Sequence, residues 1–103
     1  MTKEGGKNLE RSFTAKVELF AREKGWHYVS VPAGISRPLG YLADRGLIAV
    51  TATIGMTGWP TSLLPMGDGT HFMALPAKVR AREKLGLGEM AEVSFEVRQR
   101  IQD

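Results

Sequence analysis

Apolar and polar residues alternate along much of this chain, and the alternation marks its strands. Phe13, Ala15, Val17 and Leu19 interleave with Thr14, Lys16 and Glu18, the period-two pattern of a half-buried strand. Residues 26–31 form a second, aromatic and β-branched run that ends at Pro32. Ile48, Val50, Ala52 and Ile54 share one face of a third strand over residues 47–54. A fourth over residues 59–64 contains Pro60, which pushes it toward a sheet edge or a bulge. His71 to Leu75 is a fifth, stopped by Pro76. In the sixth, over residues 90–101, Val93, Phe95, Val97 and Ile101 share a parity that excludes Glu92, Ser94, Glu96 and Arg98.

The intervals predict turns and two short helices. Residues 22–25, 55–58 and 65–69 carry the glycines and polar residues of connections. A helical stretch fits between Ala33 and Gly46, with Pro38 in its first turn and Gly46 as a positive-φ stop. The clearest helix spans residues 77–85, with Pro76 at its entrance and Gly86 and Gly88 after its end. Residues 1–11 are polar and read as a frayed tail, so the single domain runs from 12 to 103.

One segment occurs twice. His27-Tyr28-Val29-Ser30-Val31-Pro32-Ala33-Gly34-Ile35 is matched, 44 positions later, by His71-Phe72-Met73-Ala74-Leu75-Pro76-Ala77-Lys78-Val79. The His, Pro and Ala positions are identical, and the apolar positions keep their character. Self-similarity at a fixed offset marks duplicated supersecondary units. Here each unit reads as strand, Pro-Ala, helix, glycine, strand, giving quasi-repeats over 26–54 and 70–101. Two such units can bury their half-covered faces against each other. The expected architecture is a mainly β, pseudo-twofold barrel of six strands capped by two short helices.

Composition narrows the function classes. The 103 residues with 43% apolar content suit one globular domain. With no cysteine, disulfides and thiolate chemistry are excluded. No apolar run reaches the ~20 residues of a membrane span, and the first residues lack a signal-peptide core, so a cytoplasmic location without membrane attachment is expected. Fourteen basic and eleven acidic residues give a net charge of +3, below the clustered excess typical of nucleic-acid binders.

Residues 75–80, 85–89 and 93–97 resemble the strand-helix-strand unit of the AbrB/MazE swapped-hairpin proteins. The pattern of residues 12–98 as a whole resembles more closely a bacterial domain of unknown function, the DUF1905 family. The features that carry this resemblance are the early 13–20 strand, Trp26-His27-Tyr28-Val29-Ser30-Val31-Pro32, Val50-Thr51-Ala52-Thr53-Ile54-Gly55, the stretch from Ser62 through Pro65-Met66-Gly67-Asp68-Gly69 to His71, and the final Leu-Gly-strand segment. Glu89-Met90-Ala91 departs from it where a Gly-Asp turn is common. The resemblance implies a double-split β-barrel, and it brings no catalytic residues.

Four groups carry candidate chemistry. His27 and His71 could be metal ligands, yet no third ligand stands beside them and each shares strand parity with apolar residues; no metal or cofactor is expected. Lys78, Arg80, Arg82 and Lys84 make the 77–85 helix basic, a face that could lie along phosphates or serve as a solvated surface. Trp59, Ser62, Met66, Asp68 and His71 surround the Gly67/Gly69 loop and could rim a small-molecule pocket. Ser62 with His71 could be drawn as nucleophile and base, but no G-x-S-x-G elbow, P-loop or carboxylate pair accompanies them. A non-catalytic module binding a small molecule or protein is therefore expected, with Trp59, Ser62, Asp68 and His71 as its pocket. The alternative is weak nucleic-acid binding through the basic helix. Because both repeats lie in one chain, a monomer is feasible, and a homodimer remains open.

Overall fold

The computed structural model describes residues 10–21 and 25–98. Its strands are β1 (Glu10–Lys16), β2 (Glu18–Leu19), β3 (His27–Val31), β4 (Ile48–Ile54), β5 (Thr57–Pro65), β6 (His71–Ala74) and β7 (Met90–Val97). Between β3 and β4 come α1 (Ala33–Ser36) and a 3-10 helix (Arg37–Leu42), and between β6 and β7 comes α2 (Ala77–Glu83). All strands join one antiparallel sheet in the order β1-β7-β4-β5-β6-β3-β2. The two outer strands of that order are successive stretches of one segment, separated by Val17 alone. The sheet therefore curls into a nearly closed barrel.

Seven strands replace the six expected, and the difference lies at Val17. The alternation over 13–19 is continuous, but the backbone changes partner there. Val17 N–H donates to Glu89 and its carbonyl accepts from Gly88, so β1 stays with β7 while β2 joins β3. Val17 is wholly buried at this break. β1 also starts at Glu10, so Glu10 and Arg11 belong to a strand rather than to the tail. Residues 1–9 and the expected end of the last strand at 99–101 lie outside the described residues, as does most of the 22–25 turn.

The core follows the alternation. β4 buries Ile48, Val50, Ala52 and Ile54, and β7 buries Ala91, Val93, Phe95 and Val97. Phe13 meets Phe95 edge-to-face with centroids 6.2 Å apart, a favoured aromatic geometry. Pro60 sits inside β5, a strand with neighbours on both sides. β6, however, pairs only with residues 63–65, so the stretch carrying Pro60 is laddered to β4 alone. A missing donor is tolerated on such a one-sided stretch.

Local chemistry sets the connections. Gly55 takes φ 58 at the first position of the two-residue β4–β5 turn, the glycine-first arrangement of a tight hairpin. Glu83 at the end of α2 locks this turn: its carboxylate accepts from Thr57 Oγ1 at 2.7 Å and from the Met56 amide at 3.3 Å. The helix then stops at Lys84, two residues before the expected glycine, because Lys84 itself adopts the left-handed conformation (φ 55). Pro38 falls at the start of the 3-10 helix, where its absent N–H costs no helical bond.

Candidate functional site

The two copies of the repeat lie side by side. In the β3–β6 ladder Val29 stands opposite Met73, its own counterpart 44 residues on. His71 faces Val31, and the Leu75 amide donates to the His27 carbonyl. The two histidines therefore occupy opposite ends of the ladder, four residues or about 13 Å apart along it, and cannot share one metal ion. Among the described residues no three His, Cys, Asp or Glu side chains group as a metal site.

Beyond each His the two copies continue alike. Pro32 and Pro76 end their strands with extended backbones, and the following helices open with matching bonds: Ser36 N–H to Pro32 O at 2.8 Å and Arg80 N–H to Pro76 O at 3.0 Å. Ser36 and Arg80, again 44 residues apart, are equivalent. Here the two ends of the barrel diverge. Ser36 Oγ lies 2.6 Å from His71 Nδ1, and both side chains are buried. Arg80 instead turns its Nε back to the Leu75 carbonyl at 3.1 Å. His27 Nδ1 is left enclosed with no hydrogen-bond partner. A buried polar group without a partner is uncommon and calls for a reason.

At that second end the surface is concave. A cavity of about 280 Å3 is lined by Trp26, His27, Leu75, Pro76, Ala77 and Arg80, together with Gly25 and Ala74. Trp26 is 48% exposed, an unusual loss of burial for the largest apolar side chain. The Phe20 amide bonds the Trp26 carbonyl, while the Phe20 ring stacks on Tyr28 with centroids 3.9 Å apart. These contacts anchor the backbone that presents the indole. Among the described residues no carboxylate pairs with Arg80. His27 is half-buried and lines the cavity, with its Nδ1 enclosed. The site thus combines a flat aromatic wall, a fixed guanidinium and an imidazole.

The pocket expected around the Gly67/Gly69 loop is divided in the structure. Trp59 lies on β5 six residues from Pro65, the residue opposite His71, a separation of about 20 Å along a strand. Trp59 packs against the core with its indole N–H enclosed and unpartnered. Ser62 is half-buried opposite Ala49, and Met66 bonds Thr70 through its backbone. Asp68 is exposed and accepts both the amide and the hydroxyl of Thr70, which, with Arg37 nearby, hold its carboxyl below the usual range. His71 Nδ1 is taken by Ser36, not Ser62. Since Ser36 has no exposed surface, that Ser–His pair cannot meet a substrate and is a structural contact.

On α2, Lys78, Arg82 and Lys84 are exposed as a basic face requires, and Arg80 is half-buried and withdrawn from it. A larger groove of about 490 Å3 crosses the outer face of β1, β7 and β4, lined by Ser12, Thr14, Thr53, Glu92 and Ser94 among others. It presents exposed hydroxyls and one carboxylate, with no enclosed or unpaired group among them. Among the described residues no helix is long and apolar enough to cross a membrane.

Trp26 was not among the candidates read from the sequence, and Arg80, read there as part of the basic helical face, lines this cavity with its Nε on the Leu75 carbonyl. The signal for Arg80 was present: the 44-residue offset carries Ser36 onto it. Residues 13–95 match the family model described as "Domain of unknown function (DUF1905)". No curated protein matches the chain.

Proposed function

Because the chain belongs to the DUF1905 family, whose description carries no activity, we propose its function from the barrel's own chemistry: a non-catalytic module that binds a small molecule between β3 and the start of α2. One observation carries this reading. Equivalent positions of the repeat are closed at one end by Ser36 on His71 and left open at the other, where His27 Nδ1 has no partner beside a cavity. The enclosed Nδ1 marks a histidine that this end of the fold leaves unsatisfied, and the polar capacity at the concave surface itself is the Arg80 guanidinium beside an exposed tryptophan. No nucleophile–base pair reaches solvent among the described side chains named above, so binding rather than turnover is the assigned role.

The barrel itself fits the double-split description. β1 and β2 count as one bent strand, which reduces seven strands to six, and the β3–β6 register is centred on a repeat-equivalent pair. Such a pseudo-twofold arrangement is supported by the antiparallel pairing of β3 with β6, from which the two short helices follow in opposite directions.

Amide correlation spectra recorded against a fragment library test the function. Ligands should perturb residues 25–27 and 74–80 together. Perturbations gathered instead on Thr53, Glu92 and Ser94 would move the site to the outer groove.

A second reading rests on α2, where Lys78 and Arg82 are exposed four residues apart, with Lys84 beyond them. Such a row can follow a phosphate backbone without reading bases. Polarisation titrations of labelled DNA and RNA over a salt series decide it. Binding that weakens with salt and is lost in Lys78→Ala/Arg82→Ala supports the row; no binding at low salt rejects it.

A further inference from the structure

We infer that the ligand of the Trp26–His27–Arg80 cavity is a small organic monoanion with a flat ring, an aromatic or heteroaromatic carboxylate. This rests on the binding reading above and adds the chemical class.

Charge comes first. Arg80 is the one cationic side chain among the described residues that line the cavity. Its Nε is committed to the Leu75 carbonyl, which fixes the plane of the guanidinium and leaves the terminal nitrogens without an acid among the described residues. A planar fork with its terminal N–H groups unpaired matches a carboxylate in bidentate geometry. A phosphate dianion would call for a second cation, and the lining holds none among the described residues. His27 brings an imidazole to the same lining.

Shape comes second. The exposed Trp26 indole forms one wall, and Pro76 and Ala77 supply small apolar surfaces. A flat ring stacks on such a wall in offset or edge-to-face contact. The volume, about 280 Å3, lies just below the usual range for ligand pockets and limits the body to about one ring system.

The geometry also explains the asymmetry of the repeat. In one copy the helix-entry residue is Ser36, short enough to bond the histidine directly. In the other it is Arg80, whose Nε bonds the Leu75 carbonyl instead, so that His27 and Arg80 both line the cavity without bonding each other.

The test is an amide-correlation and calorimetric titration of the full chain with four probes: benzoate, nicotinate, neutral benzamide and inorganic phosphate. Benzoate or nicotinate should shift the Trp26 indole resonance and the amides of His27, Ala77 and Arg80, and benzamide should bind at least about tenfold more weakly, the scale of one charge-assisted contact. Arg80→Gln should weaken the carboxylate about tenfold or more, with Arg80→Lys in between because it keeps charge and loses the fork. Trp26→Ala, a change at a surface side chain, should weaken binding with the rest of the spectrum unchanged, which separates loss of the site from loss of the fold. Benzamide binding as well as benzoate would overturn the anion class and leave the small-molecule site standing. Phosphate binding as tightly as benzoate would overturn the carboxylate assignment. No shift at Trp26, His27, Ala77 or Arg80 with any probe would overturn the proposal, and a wider fragment library that also left them still would remove the binding reading beneath it.

Discussion

Ser36 Oγ sits 2.6 Å from His71 Nδ1 with Ser36 fully enclosed and His71 6% exposed. It joins the first capping helix to the start of β6 across 35 residues of sequence. Removing only the hydroxyl, as Ser36→Ala, strands a buried imidazole nitrogen. The expected cost is about 1–3 kcal/mol in urea denaturation. The double variant Ser36→Ala/His71→Leu should recover a good part of that, since removing both partners removes the unpaired group. Additive losses would show that packing, not the hydrogen bond, sets the cost.

At the opposite end the same logic reverses. His27 Nδ1 already lacks a partner, so His27→Leu removes a buried polar group and keeps similar volume. Stability should rise or hold, by up to about 1 kcal/mol, while carboxylate binding weakens. A His27→Leu protein that is destabilised by more than about 1 kcal/mol would mean that the native nitrogen finds a partner, such as an ordered water.

Glu83 and Gly55 should be coupled. A Cβ on Gly55 would fall on the Glu83 carboxylate, and Gly55 has φ 58. Gly55→Ala should cost about 1–2 kcal/mol from the left-handed backbone alone, plus the loss of the Glu83 bonds to Met56 and Thr57. Glu83→Ala should speed amide exchange at the β4–β5 turn. In a double-mutant cycle the combined loss should fall short of the sum, because either change releases the same carboxylate.

Tyr28 carries a pH signature. Burial raises its pKa above the ordinary value of about 10, and the Glu18 carboxylate, which accepts its hydroxyl hydrogen and opposes a second negative charge, raises it further. The folded protein holds this proton more tightly than the unfolded chain does. The associated stability is therefore fully present below pH 10 and is lost as pH rises through the folded pKa. Tyrosinate absorbance, with Tyr28→Phe as the subtraction, measures the titration. Glu18→Gln should bring it closer to 10; no movement would assign the shift to burial alone.

Particular residues show how far the chain could be read without coordinates. Ile48 to Ile54 and Ala91 to Val97 were legible because a strand's two faces meet different solvents, and burial writes itself into every second residue. Val17 was not legible as a break: it keeps the parity of its neighbours, and only the competition between β7 and β3 for its backbone splits the strand. Lys84 likewise ends α2 in a conformation that composition assigns to the later glycines.

The sequence alone determined the alternation, the Pro-Ala strand stops and the 44-residue repeat, hence a mainly β barrel-like fold and the DUF1905 membership. These are local or repeating patterns, set by steric limits at proline and by the partition of side chains between core and water. Only the tertiary structure decided that the repeat copies pair with each other, that one histidine is bonded and its counterpart is not, and that Trp26 and Arg80 share a cavity with His27. Those relations join residues up to 54 positions apart. They follow from ladder register and from the length of one side chain, Arg80 in place of Ser36, neither of which has a local signature.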